Sequence, residues 1–338
     1  IIYKGLDLNK NSDKSFVLHD GPPTANGKPH IGHVLTRAMK DVIPRYKSMK
    51  GYYIYRKAGW DTHGLPVEVE VEKKLGFNGK KDIENYGIDK FIELCKSSVW
   101  EYKSMWEDLT KKIGYWVDMD NPYITYDNKY IESVFWALKE MDKKGLIYQG
   151  HKVVPYCPRC GTSLSKAELE NGDNYKILKE NSVYVKLKSL EEENTYFLVW
   201  TTTPWTLPSN VALCMNPNED YSKIECDGKN YIMLDKLIPT LFEEGSYTKV
   251  YTKKGKEFEY QKYQPLFDYA KNDVKTGYFV LVDDYVTTED GTGIVHIAPA
   301  FGEDDYKVGK KYGLTFIQLV DEAGNMTDNT DFGGMFVK

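Results

Sequence analysis

The sequence predicts an α/β chain in two parts: a half built on parallel strands, then a mainly β half, joined by a short cysteine-bearing turn. Three observations predict this. Between residues 16 and 60, apolar and β-branched runs flank a helical pattern in the order strand, helix, strand. After Gly145 the texture changes to short β-rich segments separated by turn residues. The length, 338 residues, exceeds the usual size of one domain, so two cores are expected.

Phe16-Val17-Leu18 is a short apolar run closed by Gly21-Pro22-Pro23 and reads as a buried strand feeding a loop. From Ile31 onward Leu35, Ala38, Val42 and Tyr46 recur at helical spacing. Val34, Met39, Ile43 and Met49 widen that stripe, and Gly51 supplies a stop. Pro44 falls inside the run and is expected to kink it. Residues 52–55 read as a second strand that delivers Gly59-Trp60-Asp61-Thr62-His63-Gly64, completing a βαβ unit. Two further helices are expected at about residues 88–113 and 129–144. The apolar stripes of both, with Ile131, Val134, Phe135, Leu138 and Met141 in the second, are assigned to the core. Pro155-Tyr156-Cys157-Pro158-Arg159-Cys160-Gly161 is a turn, and residues 182–187, 196–203, 278–282 and 293–298 read as strands. A boundary is expected near residue 150, with a connector over 151–180 and a second domain over 181–338.

Composition excludes several classes. Hydrophobic content of 41% with 28% charged residues is ordinary for a soluble globular protein. No uninterrupted apolar run approaches the roughly 18 residues a membrane helix needs. The net charge of -5 argues against nucleic-acid binding by bulk electrostatics, while leaving room for a local basic surface. Five cysteines (Cys95, Cys157, Cys160, Cys214, Cys226) are too few and too irregularly spaced for a disulfide framework, and no signal-peptide pattern opens the chain. A reducing, cytoplasmic setting is expected. The chain starts at Ile1 and stops in mid-pattern at Lys338, and is read as a fragment cut at both ends.

His30 and His33, separated by Ile31-Gly32 at the start of a helix, sit where backbone N–H groups and the helix dipole favour phosphate. Imidazole N–H donors there could stabilise charge building on a triphosphate, and Gly32 lets a nucleotide lie close to the helix. Alone, His-x-Gly-His is a weak signal, equally read as two surface histidines. The whole string His19-Asp20-Gly21-Pro22-Pro23-Thr24-Ala25-Asn26-Gly27-Lys28-Pro29-His30-Ile31-Gly32-His33 resembles the first signature of class I aminoacyl-tRNA synthetases, in the form used by isoleucyl enzymes.

That resemblance implies a Rossmann-like nucleotide-binding half-domain and activation of an amino acid with ATP and Mg2+, followed by transfer to tRNA. It implies catalytic roles for His30, Gly32 and His33, with Asn26 joining them in binding ATP. Gly59-Trp60-Asp61-Thr62-His63-Gly64-Leu65-Pro66-Val67-Glu68 looks like the isoleucyl version of the next segment. Valyl enzymes differ in this string, and leucyl ones replace the histidine with an aromatic residue. By the resemblance, Gly21, Pro22, Asp61 and His63 bind the amino acid: Asp61 receives its ammonium, and Gly21 with Pro22 shape the side-chain pocket. A desolvated ammonium needs a carboxylate partner, whereas a branched aliphatic side chain needs only a shaped apolar wall. The ordinary alternative for Asp61 is a capping or surface acid.

Cys157 and Cys160 have the two-residue gap that lets both thiolates reach one tetrahedral zinc, in turn residues that suit a zinc ribbon. None of Cys95, Cys214 and Cys226 forms a second such pair, so only half a site is legible; a structural or redox pair is the alternative. The resemblance implies completion of the site by a second pair beyond Lys338.

One methylene distinguishes isoleucine from valine, and isoleucyl enzymes are the standard example of how little that yields in binding, about 150-fold. A hydrolytic proofreading site is therefore expected, and the second half resembles the editing domain of the family. Trp200-Thr201-Thr202-Thr203-Pro204-Trp205-Thr206-Leu207-Pro208 matches one wall of its pocket. Residues 291–306 match the other, where Asp305, nine residues after His296, is implied to hold the substrate's α-amino group. No Ser-His-Asp or Cys-His arrangement is legible, so a positioned water is the expected nucleophile, with Thr201, Thr202, Thr203 and His296 orienting the ester. A steric role for His296 against the isoleucyl group ranks first. Phe301 stands where many bacterial relatives have histidine.

The reading is thus an isoleucine-tRNA ligase with hydrolytic editing of valyl-tRNA(Ile), whose partners are tRNA(Ile), L-isoleucine and ATP, with no membrane. Valyl specificity and a stand-alone deacylase of mischarged tRNA are the alternatives within reach. A nucleotidyltransferase sharing only His-x-Gly-His would not need the threonine-rich second part, and a plain tRNA-binding module is the blandest reading. No Lys-Met-Ser-Lys-Ser string occurs, so isoleucine-dependent ATP–pyrophosphate exchange by this chain is not expected.

Overall fold

The computed structural model describes residues 5–18, 21–24, 27–170 and 175–338. It divides into two compact units, Ile1–Gly150 and His151–Lys338.

In the first unit β1 (Ser15–Val17), α1 (Ile31–Met49) and β2 (Tyr53–Tyr55) follow one another, and the two strands pair in parallel with Phe16 opposite Ile54. A second parallel ladder joins β3 (Lys57–Trp60) to β4 (Asp118–Ile124), with Trp60 opposite Ile124. Among the described residues these remain two small ladders rather than one continuous sheet. Four helices lie between them in sequence: α2 (Leu65–Leu75), α3 (Lys80–Tyr86), α4 (Ile88–Ser98) and α5 (Lys103–Lys112). The helix expected over residues 88–113 is therefore two, interrupted at residues 99–102. The last helix of the unit is α6 (Asn128–Lys143).

Burial corrects two expectations, for the first strand and for α6. The first strand is not buried, since Val17 is exposed; a parallel strand is dry only when layers cover both faces. Pro44 sits inside α1 without ending it. The apolar stripe of α1 faces outward: Ile31, Leu35, Met39 and Met49 are exposed, and the buried residues are Asp41, Pro44 and Ser48. The inward face is polar because Asp41 is held from two sides, by Arg56 Nη1 at 2.8 Å and Arg45 Nε at 2.6 Å. A buried carboxylate is tolerated when its charge is paired in this way. Helix α6 likewise has no buried residue, so its stripe is not core.

The second unit opens with a short antiparallel hairpin, β5 (Tyr156–Cys157) and β6 (Thr162–Ser163), followed by α7 (Lys166–Leu169). Next come β7 (Val183–Lys188), β8 (Thr195–Thr201), β9 (Ala212–Met215), β10 (Asp220–Cys226), β11 (Lys229–Leu234), α8 (Ile238–Leu241) and β12 (Thr248–Lys254). The unit continues with β13 (Phe279–Val282), β14 (Ile294–Ile297) and α9 (Glu303–Tyr312). Five strands form one sheet in the order β12-β10-β11-β8-β7, and three form another in the order β13-β9-β14.

The central strand β9 is buried at all four residues, and its two faces serve different cores. Leu213 and Met215 join Leu187, Phe197, Val199 and Ile232 of the five-stranded sheet in one cluster. Ala212 and Cys214 join Ile297 and Val308 in another, so α9 covers the opposite face. Alternation along a strand produces this division, and it sets β14 and the first turn of α9 beside the end of β8.

Candidate functional site

In the first unit the site is built around the N-terminus of α1. His30 is the N-cap residue, in extended backbone, and its Nδ1 accepts the Gly32 N–H at 3.2 Å. In return His33 Nδ1 accepts the His30 N–H at 3.1 Å. The two rings thus form a reciprocal cap, with centroids 3.8 Å apart. Both Nδ1 atoms act as acceptors, so each imidazole is the Nε2–H tautomer and keeps that N–H as a donor. Burial, then the neighbouring His30 and Arg37, hold the His33 pKa below its ordinary value, which suits a neutral acceptor. Gly32 has a second role that its sequence context does not reveal. A Cβ there would lie 3.0 Å from His30 Cε1 and 3.1 Å from its Nδ1, so a side chain would crowd the capping ring.

Trp106, in α5, is a residue that motif reasoning missed. It is 2% exposed and donates its indole N–H to the Gly27 carbonyl at 2.9 Å. The His33 ring meets its indole edge-on at 4.7 Å, and Arg37 lies over the ring at 5.1 Å. One side chain so ties the loop before α1 to the ring of His33. No spacing in the sequence marks it, because 79 residues separate it from Gly27. Asn26, expected to bind ATP, lies outside the described residues, as do His19, Asp20 and Ala25 of the same string.

Asp61 follows β3 and bridges in parallel to Thr24. Its N–H donates to the Pro23 carbonyl at 3.0 Å, and Oδ2 accepts from the Thr24 hydroxyl at 3.2 Å. Next to it Thr62 is buried, its N–H donating to Thr125 Oγ1 at 3.0 Å. The same Thr125 hydroxyl is 2.9 Å from His63 Nδ1. A cavity of about 520 Å3 is lined by Pro22, Asp61, His63 and Thr125, with Ile131, Val134 and Phe135 of α6. The outward stripe of α6 thus forms an apolar wall facing one carboxylate, the arrangement a small aliphatic amino acid requires. Gly21 is exposed and does not line this cavity.

The second unit contains a cavity of about 320 Å3 lined by Thr201, Thr202, Thr203, Thr206, His296 and Asp305, among others. Thr201, at the end of β8, accepts the Thr203 N–H at 3.1 Å. A 3-10 helix, Pro204–Ser209, then presents Thr206. The Thr206 hydroxyl donates to the Thr203 carbonyl at 2.8 Å and sits 3.0 Å from His296 Nε2. With its one proton committed to Thr203, that hydroxyl accepts from His296, which is therefore the Nε2–H tautomer. Burial pushes the His296 pKa down to about 4, so the ring is neutral at pH 7. Its Nδ1 has no hydrogen-bond partner among the described residues.

Asp305 stands in the first turn of α9 and accepts the Ala298 N–H through Oδ2 at 2.9 Å. Burial raises its pKa to about 6, so it is an anion at neutral pH, poorly solvated and suited to receive an ammonium. Trp200 closes another side. Gly291 lies against its indole, where a Cβ would fall 2.6 Å from Cε3, and adopts φ +73. Trp200 and Thr206 were not named as site residues from the sequence, although both lie inside the string that was.

At the hairpin β5–β6, Cys157 and Cys160 are free thiols, and the Cys160 N–H donates to Cys157 Sγ at 3.4 Å. No group of three or more His, Cys, Asp or Glu side chains that could hold a metal ion assembles among the described residues. No helix among those residues is long and apolar enough to cross a membrane.

The family described as tRNA synthetases class I (I, L, M and V) matches residues 2–211. Isoleucine–tRNA ligase of Clostridium novyi is 56% identical over 100% of this chain and 32% of its own length. The enzymes of the same name from Clostridium acetobutylicum and Bacillus thuringiensis are 55% and 51% identical over the same shares. The chain thus spans about a third of the length of these relatives.

Proposed function

Because the chain belongs to the class I tRNA synthetases of the isoleucine, leucine, methionine and valine group, we propose that it is the ATP-site half and editing part of an isoleucine–tRNA ligase. In this reading residues 1–150 are the first half of a Rossmann-like catalytic domain, 151–180 a connector and 181–338 the editing domain. The observation that carries the proposal is the convergence of Thr201, Thr202, Thr203, His296 and Asp305, from three stretches of sequence, on one cavity.

The synthetic half takes ATP with Mg2+ as its substrate pair. The Nε2–H groups of His30 and His33, at the positive end of the helix dipole, stabilise charge on the triphosphate. Asp61 receives the α-ammonium of isoleucine, and Ile131, Val134 and Phe135 take up its side chain.

The editing half hydrolyses the smaller, misacylated product. Asp305 anchors the α-ammonium of a valyl ester, and the threonine hydroxyls orient the ester for a water molecule. His296, neutral and locked by Thr206, limits the room for a larger side chain. The cysteine pair fits half of a zinc site: both residues lie in one tight hairpin, where the Cys160 N–H bonds to Cys157 Sγ, and a longer polypeptide would supply the other two ligands.

The test is deacylation of valyl-tRNA(Ile) by the 338-residue chain, with Asp305→Ala beside it. Loss of at least tenfold in the variant is expected; equal rates in the two proteins would remove Asp305 from the site.

A further inference from the structure

Beside Asp61 runs a chain of hydroxyl hydrogen bonds whose direction is fixed by counting donors and acceptors. Thr125 follows β4 and is held against β3 by its own N–H, which donates to the Trp60 carbonyl at 3.2 Å. Thr62 and Thr125 are both buried. The Thr62 hydroxyl accepts the Tyr126 N–H at 3.1 Å and lies 3.0 Å from the Thr125 hydroxyl. Among the described residues no other acceptor meets the Thr62 proton. An unpaired hydroxyl proton in a dry site is costly, so Thr62 donates to Thr125. Thr125 Oγ1 also accepts the Thr62 N–H at 3.0 Å. A hydroxyl has one proton and two lone pairs. With both lone pairs occupied, Thr125 sends its proton to His63 Nδ1, 2.9 Å away. The opposite direction, with His63 donating to Thr125 and Thr125 to Thr62, would strand the Thr62 proton. His63 is therefore the neutral Nε2–H tautomer, and no hydrogen bond among the described residues engages that N–H.

We propose that Thr125 is a positioning residue that holds His63 as an Nε2–H donor for the α-carboxylate of the amino acid whose ammonium Asp61 receives. The inference rests on the amino-acid reading of this cavity. An amino acid brings one group of each charge, and a carboxylate taken from water needs donors as an ammonium needs acceptors. Asp61 supplies acceptors only. Of the three lining side chains that carry a donor, Thr125 has spent its proton and Tyr130 belongs to the α6 wall, where its ring stacks on Tyr123 at 5.8 Å. His63 lies two residues from Asp61, on the turn between β3 and α2, so one short segment meets both charges of the substrate. Separate partners orient the two residues: Thr24 bonds to Asp61 and Thr125 to His63. Loss of the Thr125 hydroxyl therefore acts on the carboxylate end alone.

The first measurement needs no ligand. In the 338-residue chain at about pH 8, where an ordinary histidine is neutral, long-range proton–nitrogen NMR spectra are expected to show His63 with a protonated Nε2 and an acceptor Nδ1. The opposite pattern would overturn the proposal. Thr125→Val is expected to move both nitrogen shifts toward a mixture of tautomers, and Thr125→Ser to restore the original pattern; unchanged shifts in the valine variant would overturn it too. The second measurement compares binding of isoleucine with that of 2-methylbutylamine, which keeps the ammonium and the side chain and lacks the carboxylate. His63→Asn is expected to lose about tenfold for isoleucine, the worth of a hydrogen bond to a charged group, and nothing for the amine. Thr125→Val is expected to lose about threefold for isoleucine alone, as the competent ring state becomes one of several. His63→Gln, whose amide reaches nearer the Nε2 position, should bind isoleucine more tightly than His63→Asn. Equal losses for the two ligands, or a larger isoleucine-selective loss in Tyr130→Phe than in His63→Asn, would remove His63 as the partner of the carboxylate. Absence of binding of either ligand to the unaltered chain would overturn the amino-acid reading and the carboxylate assignment with it, while the ligand-free spectra decide separately whether Thr125 fixes the tautomer.

Discussion

His296 Nε2 lies 3.0 Å from Thr206 Oγ1, across 90 residues of sequence, and that single hydrogen bond fixes which nitrogen of a buried ring carries its proton. Thr206→Val keeps the shape of the side chain and removes the acceptor. It leaves a buried imidazole N–H unpaired, which costs about 1–3 kcal/mol. Chemical denaturation is expected to show that loss. The histidine nitrogen shifts in NMR spectra are expected to move toward a mixture of tautomers; an unchanged spectrum would contradict the assignment.

Asp305 gives a pH dependence of stability with a definite sign. Its carboxyl is raised from the ordinary 3.8 to about 6, so the folded chain holds the proton more tightly than the unfolded one. The resulting stabilisation is present below pH 3.8 and is lost as pH rises through about 6. Asp305→Asn retains an acceptor for the Ala298 N–H and removes the buried charge. The variant is expected to gain about 1 kcal/mol relative to the unaltered chain at pH 7.5, below the linkage limit of about 3 because the carboxylate keeps some solvent. The gain should vanish near pH 4, while deacylation is lost. Denaturation midpoints at the two pH values check this.

His33 behaves in the opposite sense. Its pKa is lowered in the fold, so its contribution to stability is present above about pH 6.5 and is lost as pH falls below that value. Protonation at Nδ1 removes the acceptor for the His30 N–H. The protection of that amide, relative to its intrinsic exchange rate, is therefore expected to fall as pH drops below about 6.5. His33→Ala should abolish that pH dependence and cost about 1 kcal/mol, the usual worth of a cap.

Phe135 separates binding from stability. It is 65% exposed yet lines the cavity beside Asp61. Phe135→Ala is expected to change stability by less than about 0.5 kcal/mol, as for other exposed positions. Isoleucine binding, read by calorimetry, should weaken by about 1 kcal/mol or more through lost apolar burial. A large drop in Tm without an effect on binding would assign the residue to the core after all.

Trp106→Phe retains a buried ring and deletes the donor to the Gly27 carbonyl. A loss of about 1 kcal/mol in stability is expected, together with an altered His33 titration, because the indole edge contacts that ring. The histidine titration followed by NMR distinguishes this positioning role from plain packing.

Much of the fold was legible where local chemistry and pattern agree. The β1-α1-β2 unit, the helix at Asn128–Lys143 and four strands of the second unit fall where the sequence places them. Helix α2 was missed because its Val67-Glu68-Val69-Glu70-Val71-Glu72 run alternates with the period of a strand, while its buried valines, Val67 and Val71, lie one helical turn apart. Strand β9 was missed for the reverse reason: buried on both faces, its Ala212-Leu213-Cys214-Met215 run shows no alternation. The stripe of α6 was assigned to the core because periodicity reports an apolar face without reporting what it meets.

The sequence by itself determined the chemistry that lies close along the chain: the His30-Ile31-Gly32-His33 helix start, the cysteine hairpin, and the threonine run after β8. Only the tertiary structure decided that His30 and His33 spend their Nδ1 atoms on each other. It also decided that Thr206 orients His296, and that Asp305 reaches the same cavity from the far side of β9. The physical reason is range. Helix starts and turns are set by hydrogen bonds within a few residues, whereas tautomers, burial and raised or lowered pKa values depend on strand register and on which faces are dry.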